Sequence, residues 1–309
     1  MRQTHLSFHS FSLPFTPFHS FIILVFLLFA ACGGGSEPRE GITDDHGRVV
    51  DVPTAPQRVV STSPAVTEIM FALGAQDLLV GRTDFCTYPA EAQDIPSIGG
   101  ISNMNIERIL SLKPDLIISG SMVERKITEK LDQMHKPIVC IVGEDRFDNL
   151  YINIKKIGHL VGKDREADSL VALLHARVDA FEVDTTQSRP SVYYVVGYGP
   201  GGNFTAGGNA FINDIIRMAG GRNIAEGIQG WSYSMEALMK EDPNYIIVRR
   251  EDSAAFCSMQ PYTSLSAVRH GRVIGIESST IDLQVPRNID AVLYLRERIK
   301  KNMTNGAAE

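Results

Sequence analysis

Hydrophobic positions in the first half of the chain alternate between two spacings. Short apolar runs of the kind that form buried strands are separated by stretches of helical periodicity. This alternation predicts βαβ units and a mainly parallel sheet. The predicted strands are 58–61, 78–81, 115–119 and 137–142, and the predicted helices are 64–73 and 105–113.

The pattern changes between residues 145 and 183, where apolar residues recur only at helical spacing. Gly162, Lys163 and Asp164 interrupt it, so we expect two helices with Asp164 as the N-cap of the second. Strand and helix patterns alternate again from Ser191 onward.

The second alternating region repeats features of the first. Glu107 precedes Pro114 by seven residues and Glu236 precedes Pro243 by seven, and a polar residue and two isoleucines follow each proline. The sequence therefore predicts an α/β protein with two related lobes, whose mainly parallel sheets are joined by one long helix. Ligands of open α/β sheets bind beyond the carboxyl ends of the strands, so a ligand cleft is expected between the lobes.

The first residues have the pattern of an export signal. The apolar block 21–31 is about 11 residues long, whereas a membrane-spanning helix needs about 20. Two alanines precede Cys32, and glycines follow it. The arrangement resembles a bacterial lipoprotein signal with Cys32 as the lipidated first residue, and the alternative is a cleaved signal with an incidental cysteine. We expect an exported protein, lipid-anchored to the cell membrane on its periplasmic or extracytoplasmic face.

Composition fits this organisation. The 309 residues are 44% hydrophobic and 21% charged, and a net charge of −6 gives no basic footprint for nucleic acid. The predicted parts are a signal peptide (1–31), a lipidated tether (32–45), an N-terminal lobe (46–162), a linker helix (163–187), a C-terminal lobe (188–303) and a tail (304–309).

Motifs for catalysis and cofactors give little support. Gly197, Gly199 and Gly202 form G-x-G-x-x-G after a predicted strand, but a helical pattern resumes only near Phe211, which argues against dinucleotide binding. The sequence has no G-x-S-x-G or H-E-x-x-H motif and no clustered histidines, so we expect no cofactor and no metal site. A secreted α/β hydrolase with dispersed catalytic residues is the alternative from another class. After Cys32, an odd number of cysteines remains, which allows at most one disulfide: Cys86, Cys140 and Cys257.

Loops after the predicted strands carry the candidate ligand contacts. They are rich in aromatic residues and glycine, a composition that suits a large, flat, partly apolar ligand. Trp231, the single tryptophan of the chain, is the strongest candidate. The loops are 82–88, 198–204 and 230–233.

The order of several short segments resembles one family. They are Asp84-Phe85-Cys86-Thr87-Tyr88-Pro89, Ile98-Gly99-Gly100, Asn105-Ile106-Glu107-Arg108-Ile109, Phe204-Thr205-Ala206-Gly207 and Ala219-Gly220-Gly221-Arg222-Asn223-Ile224. The chain resembles the substrate-binding proteins of bacterial ABC importers for cobalamin, iron–siderophores and haem. The resemblance implies two Rossmann-like lobes that are bridged by one rigid helix. It also implies limited closure of these lobes on a small-molecule metal chelate.

The resemblance also implies site residues. In cobalamin-binding members Tyr88 and Phe204 would pack against the corrin ring, and Ile101 and Gly120 stand at or near positions that can hold tryptophan. A catechol siderophore would use cleft arginines, and haem an axial tyrosine or histidine; a zinc or manganese receptor would need clustered ligands. We expect a corrinoid, with iron chelates as the alternative. The predicted ligand residues are Arg82, Phe85, Tyr88, Tyr198, Phe204, Trp231, Tyr233 and Arg287.

Glu107 and Glu236 match the family glutamates that dock on the dimeric permease, which works with its ATPase. Their spacing supports a common role, because Asn105 and Ser234 each lie two residues ahead as candidate N-caps. Each carboxylate would then lie in a first helical turn, where the helix dipole favours it. Capping alone is the alternative role.

Overall fold

The computed structural model describes residues 38–180 and 189–306, with side chains as far as residue 300. The predicted signal peptide and Cys32 lie outside the described residues, as does the end of the predicted linker segment. Part of the predicted tether forms strand β1 (Arg39–Thr43), which pairs in a hairpin with β2 (Val49–Pro53) of the predicted N-terminal lobe. No helix within the described ranges has the length and apolar character of a membrane span.

The first lobe contains a parallel four-stranded sheet with the strand order β4-β3-β5-β6. The predicted alternation of strands and helices is confirmed to within about two residues at each end. The strands are β3 (Val59–Ser61), β4 (Leu79–Arg82), β5 (Leu116–Ser119) and β6 (Ile138–Cys140), and the helices are α1 (Pro64–Ala72), α2 (Ile106–Ser111) and α3 (Arg125–Gln133).

Two helices follow, α4 (Asn149–Leu160) and α5 (Asp164–Asp179), and they pack against each other. The predicted break at residues 162–164 is confirmed, because Gly162 has a φ of 66°. The prediction of Asp164 as N-cap is wrong by one residue. Lys163 holds the N-cap position without a side-chain bond, and Asp164 begins the helix.

The second lobe contains another parallel four-stranded sheet, with the order β12-β11-β7-β9. A short antiparallel pair, β8 with β10, lies outside this sheet. The strands of the second lobe are β7 (Ser191–Tyr194), β8 (Asn203–Phe204), β9 (Arg222–Asn223), β10 (Ser232–Tyr233), β11 (Tyr245–Arg249) and β12 (Val273–Ile276). The helices of the second lobe are α6 (Phe211–Met218), α7 (Met235–Glu241), α8 (Ser253–Ser258), α9 (Ser266–Arg269) and α10 (Asn288–Gly306).

The topology confirms the predicted repetition. In each sheet the strand that comes first along the chain lies between the second and the third, and the fourth lies at the edge beyond the third. Backbone conformation repeats as well. Lys113 and Asp242, which precede the matched prolines, have φ angles of 49° and 40°.

The core explains how the lobes are held together. On β5, Ile118 faces a large core shared by both lobes and the intervening helices, whereas Ile117 faces a separate core of the first lobe. Ile247 and Ile246 of β11 divide in the same way between the shared core and a core of the second lobe. Alternation along buried strands thus covers both faces of each sheet. The residues from Pro38 onward consequently form one compact unit.

Candidate functional site

A cavity of about 440 Å³ lies between the lobes, at the carboxyl ends of three strands of the first sheet. Its position follows from the fold, because loops after parallel strands meet at one edge of the sheet. The first lobe contributes residues that follow β3, β5 and β6, and the second lobe closes the other side. The polar and aromatic residues among those that line it are Thr62, Ser63, Ser121, Glu144, Asp145, Asn153, Phe211, Trp231, Asp282 and Gln284.

Hydrogen bonds join the lobes beside this cavity. The backbone N–H of Phe211 donates to the Asp145 carboxylate over 3.2 Å, and that of Phe147 donates to the Asp214 carboxylate over 3.1 Å. Gln284 Nε2 donates to the backbone oxygen of Glu144 over 3.1 Å. These reciprocal bonds fix the separation of the two cavity walls.

The cavity is acidic. Among the described residues that line it are three carboxylates and no basic side chain. Desolvation by the surrounding protein raises the pKa of Asp145, and the nearby charge of Asp214 acts in the same direction. Burial also raises the pKa of Asp282, although the Tyr194 hydroxyl donates to it and Arg249 lies 3.6 Å away.

A second cavity, of about 630 Å³, holds two of the predicted ligand residues, Tyr88 and Arg287. Arg287 comes from the second lobe and donates to Glu68 of α1 through two bonds of 2.8 and 3.0 Å. Its guanidinium also lies 3.8 Å from the centre of the Tyr88 ring. Arg287 therefore ties the lobes together and positions Tyr88.

The remaining predicted residues occupy three kinds of environment. Trp231 lines the interlobe cavity and is 44% exposed. Phe204 is also exposed, and the N–H of the following residue, Thr205, donates to the Trp231 carbonyl over 2.7 Å, which keeps these two aromatic positions close. Phe85 is exposed and faces Gly100, next to the cavity-lining Ile101.

Arg82, Tyr198 and Tyr233 are engaged in internal contacts. The Arg82 guanidinium donates to the carbonyls of Thr83 and Gln93, each over 3.0 Å, and so holds the loop after β4. Tyr198 packs edge-on against aromatic neighbours, and Tyr233 is only 6% exposed. The structure thus brings Trp231, Phe204 and Phe85 near one cavity and Tyr88 and Arg287 to another.

Glu107 and Glu236 are both exposed in the first turns of α2 and α7. The predicted caps are confirmed. The Asn105 side chain accepts from the Arg108 N–H over 2.9 Å, and the Ser234 hydroxyl accepts from the Ala237 N–H over 3.0 Å. Neither glutamate forms an ion pair within the described residues, so both charges face solvent.

Sequence reasoning missed several cavity residues. Thr62 and Asp282 lie in loops after strands, and this position could have suggested them as cavity residues. Asn153 lies on α4, where the helical apolar pattern gives no sign of a cavity residue. The buried Glu68 had a readable signal, because it interrupts the apolar face of α1. Ile101 and Gly120, where family members can have tryptophan, both line the interlobe cavity.

The structure also brings together three groups with metal-ligating atoms, those of Asp44, His46 and Cys140. The Asp44 carboxylate is already bound by the Arg48 guanidinium over 2.6 Å and by backbone N–H groups. A cation would have to displace this ion pair. Cys86, Cys140 and Cys257 are free thiols.

Comparison with known proteins gives relatives of the same architecture. The sequence matches the family described as "Periplasmic binding protein" over residues 59–280. It is 27% identical over 299 residues to an uncharacterised ABC transporter substrate-binding lipoprotein of Bacillus subtilis, covering 90% of this chain and 95% of that protein. It is 28% identical over 263 residues to a cobalamin-binding protein of Halobacterium salinarum, covering 80% of this chain and 70% of that protein. A periplasmic haem-binding protein of Pseudomonas aeruginosa has a TM-score of 0.71 at 25% identity, over 78% of this chain and 91% of that chain.

The family match covers more than half of the 309 residues and contains all the parallel strands of both sheets. It agrees with the repeated topology and with a cavity between the lobes. The resemblance seen in the sequence is thereby confirmed, and the chain belongs to the periplasmic binding protein family.

Proposed function

We propose that this protein is the ligand receptor of an ABC importer, which captures cobalamin or a related corrinoid between its lobes and delivers it to a permease. The observation that carries the proposal is the interlobe cavity, formed at the carboxyl ends of the strands and bordered by Trp231. A flat macrocycle suits it, because aromatic side chains offer contact area at little cost in conformational entropy.

The relatives support the corrinoid. The Halobacterium protein is named for cobalamin binding, and the Bacillus protein is named as a substrate-binding lipoprotein of an ABC transporter. We infer a transport role without catalysis, and attachment to the membrane through Cys32. The hydrolase alternative has no support from the family to which the chain belongs.

An iron chelate is the second candidate ligand. Tyr88 is 47% exposed and lines the second cavity, with the Arg287 guanidinium over its ring. A tyrosine so placed could ligate ferric haem, and a haem-binding protein is among the structural neighbours. This candidate uses the second cavity, whereas the corrinoid uses the interlobe cavity.

Two exposed glutamates supply the partner contact. Glu107 and Glu236 lie at matching positions of the repeated lobes, each at the start of a short capped helix. Two like charges so placed would fit basic pockets on the two halves of a dimeric permease. The partner we propose is therefore an ABC permease dimer with its ATPase.

Trp231 makes the first test direct, because it is the single tryptophan of the chain. The protein is titrated with cyanocobalamin, haemin and a ferric siderophore, and free N-acetyltryptophanamide corrects for absorption by the ligands. We expect saturable quenching by cyanocobalamin at one equivalent, with co-elution of ligand and protein in gel filtration. Binding of haemin alone would favour the iron-chelate candidate, and binding of none of the three would contradict the receptor role.

A further inference from the structure

Two residues that line the interlobe cavity carry buried side-chain oxygens without hydrogen-bond partners. Thr62 is 1% exposed and Asn153 is 8% exposed, and both residues line the cavity. Neither Thr62 Oγ1 nor Asn153 Oδ1 has a partner within the described residues. Buried polar atoms of native proteins are nearly always hydrogen-bonded, so two unpaired oxygens in one cavity call for an explanation. A ligand group that completes these bonds supplies one.

The fold fixes the positions of both residues. Thr62 follows β3 directly, and its backbone N–H donates to the Ile118 carbonyl over 3.0 Å. Asn153 lies on α4 next to Ile154, which is fully buried in the shared core. The two residues therefore come from separate elements, each of which is tied to the rest of the protein by its backbone or by core packing.

The charges of the same cavity restrict what the ligand can present. Glu144, Asp145 and Asp282 line it, and no described lining residue is basic. The predicted arginines do not offset this charge, since Arg82 donates to backbone carbonyls and Arg287 is paired with Glu68. A carboxylate on the ligand would meet like charge, whereas an N–H donor would meet acceptors.

We propose that Thr62 and Asn153 are specificity-determining residues, which accept hydrogen bonds from carboxamide N–H groups at the edge of a metal macrocycle. The cavity selects a macrocycle edged with carboxamides over one edged with carboxylates. This inference rests on the proposed function of the cavity as the ligand site. It separates a corrinoid, whose edge carries amides, from haem, whose edge carries propionates.

A matched pair of ligands tests the selection without changing the ring or the metal. Dicyanocobinamide carries carboxamides around the corrin, and dicyanocobyrinic acid carries carboxylates at those positions. By calorimetric titration of the whole protein at neutral pH, we expect the amide form to bind at least about tenfold more tightly. Equal affinities would overturn the proposal.

Three threonine variants test the residue assignment. Thr62→Val removes the unpaired hydroxyl and keeps the shape of the side chain. It should weaken cobinamide binding about threefold to tenfold and leave the urea midpoint unchanged or raised. Thr62→Ser keeps the hydroxyl and should keep the affinity despite a lower midpoint. Thr205→Val is the control, because Thr205 Oγ1 is also buried and unpaired but does not line the cavity.

Asn153→Leu gives an independent test and should weaken cobinamide binding by a similar factor. If Thr62→Val and Asn153→Leu bind cobinamide as the unchanged protein does, the residue assignment is wrong while the receptor role stands. If the unchanged protein binds no corrinoid, haemin or ferric siderophore, the proposed function fails and this inference fails with it.

Discussion

At the scale of single residues, a buried ion pair between Arg287 and Glu68 links the two lobes. Their side chains are only 10% and 6% exposed, and the guanidinium also stacks on Tyr88. An ion pair this deeply buried is costly to break, because the remaining charge has no solvent to stabilise it.

Arg287→Met should therefore destabilise the protein by about 3–5 kcal/mol at neutral pH. Burial raises the pKa of Glu68, and the Arg287 guanidinium opposes that rise. Without Arg287 the pKa rises further, so the folded variant binds a proton more readily than its unfolded chain does. The loss of stability should thus become smaller as the pH falls through the folded-state pKa of Glu68. Urea unfolding at neutral and mildly acidic pH measures the effect.

Arg177→Met is the control for this prediction. Arg177 pairs with Asp290, but the two side chains are 36% and 62% exposed. An exposed pair contributes about 0–1 kcal/mol, so this variant should change little. If Arg287→Met lowers the free energy of unfolding no more than Arg177→Met does, the buried ion pair stabilises the protein no more than an exposed one.

Residues of the site differ in how far the sequence could predict them. Trp231 stands alone in a glycine-bounded loop, and the structure has it lining the interlobe cavity. The unpaired oxygens of Thr62 and Asn153 could not be predicted, since the absence of a hydrogen-bond partner is a property of the packed fold. Arg82 and Arg287 read as free cleft cations, but long side chains find internal partners that only tertiary structure defines.

At the scale of elements, the helix ends whose caps use a side chain could be predicted from the sequence. Asn105 and Ser234 were predictable as caps, because a side chain that bonds a free N–H needs only local sequence. The N-cap of α5 could not be predicted in this way, because Lys163 holds that position and its side chain bonds none of the free N–H groups.

Lys113 offers an element-scale prediction. It lies just after the C-cap of α2 with a φ of 49°, a left-handed conformation that glycine adopts without strain. Lys113→Gly should raise stability by up to about 1 kcal/mol, since relief of strain exceeds the greater freedom of glycine in the unfolded chain. Chemical denaturation measures the change.

Asp242, at the matching position of the second lobe, provides the contrast. Its φ is 40°, but its carboxylate accepts from the Ser266 N–H over 2.7 Å and from the Ser266 hydroxyl. Asp242→Gly should therefore destabilise the protein, by about 1–3 kcal/mol. If Lys113→Gly and Asp242→Gly both raise the free energy of unfolding, the side-chain hydrogen bonds of Asp242 make no net contribution to stability.

At the scale of the whole molecule, repetition made the fold predictable. Two matched Glu–Pro segments indicated two lobes, and the shared strand order confirms them. The contact between the lobes was beyond sequence reasoning, because the shared core joins residues far apart in the chain. That continuous core favours small lobe movements around a ligand, since a large hinge motion would expose buried apolar surface.

Docking on a permease is a property of the whole molecule, because it needs one glutamate from each lobe. The double variant Glu107→Gln and Glu236→Gln should bind ligand as the unchanged protein does and lose most of its uptake activity in vesicles that contain the permease and ATPase. Each substitution should cost only about 0.3–1 kcal/mol of stability, through the helix dipole. Glu129→Gln with Glu297→Gln removes the same charge from exposed positions on α3 and α10 and should leave uptake intact. If the double variant of Glu107 and Glu236 supports normal uptake, these two glutamates only stabilise their helices and do not dock on the permease.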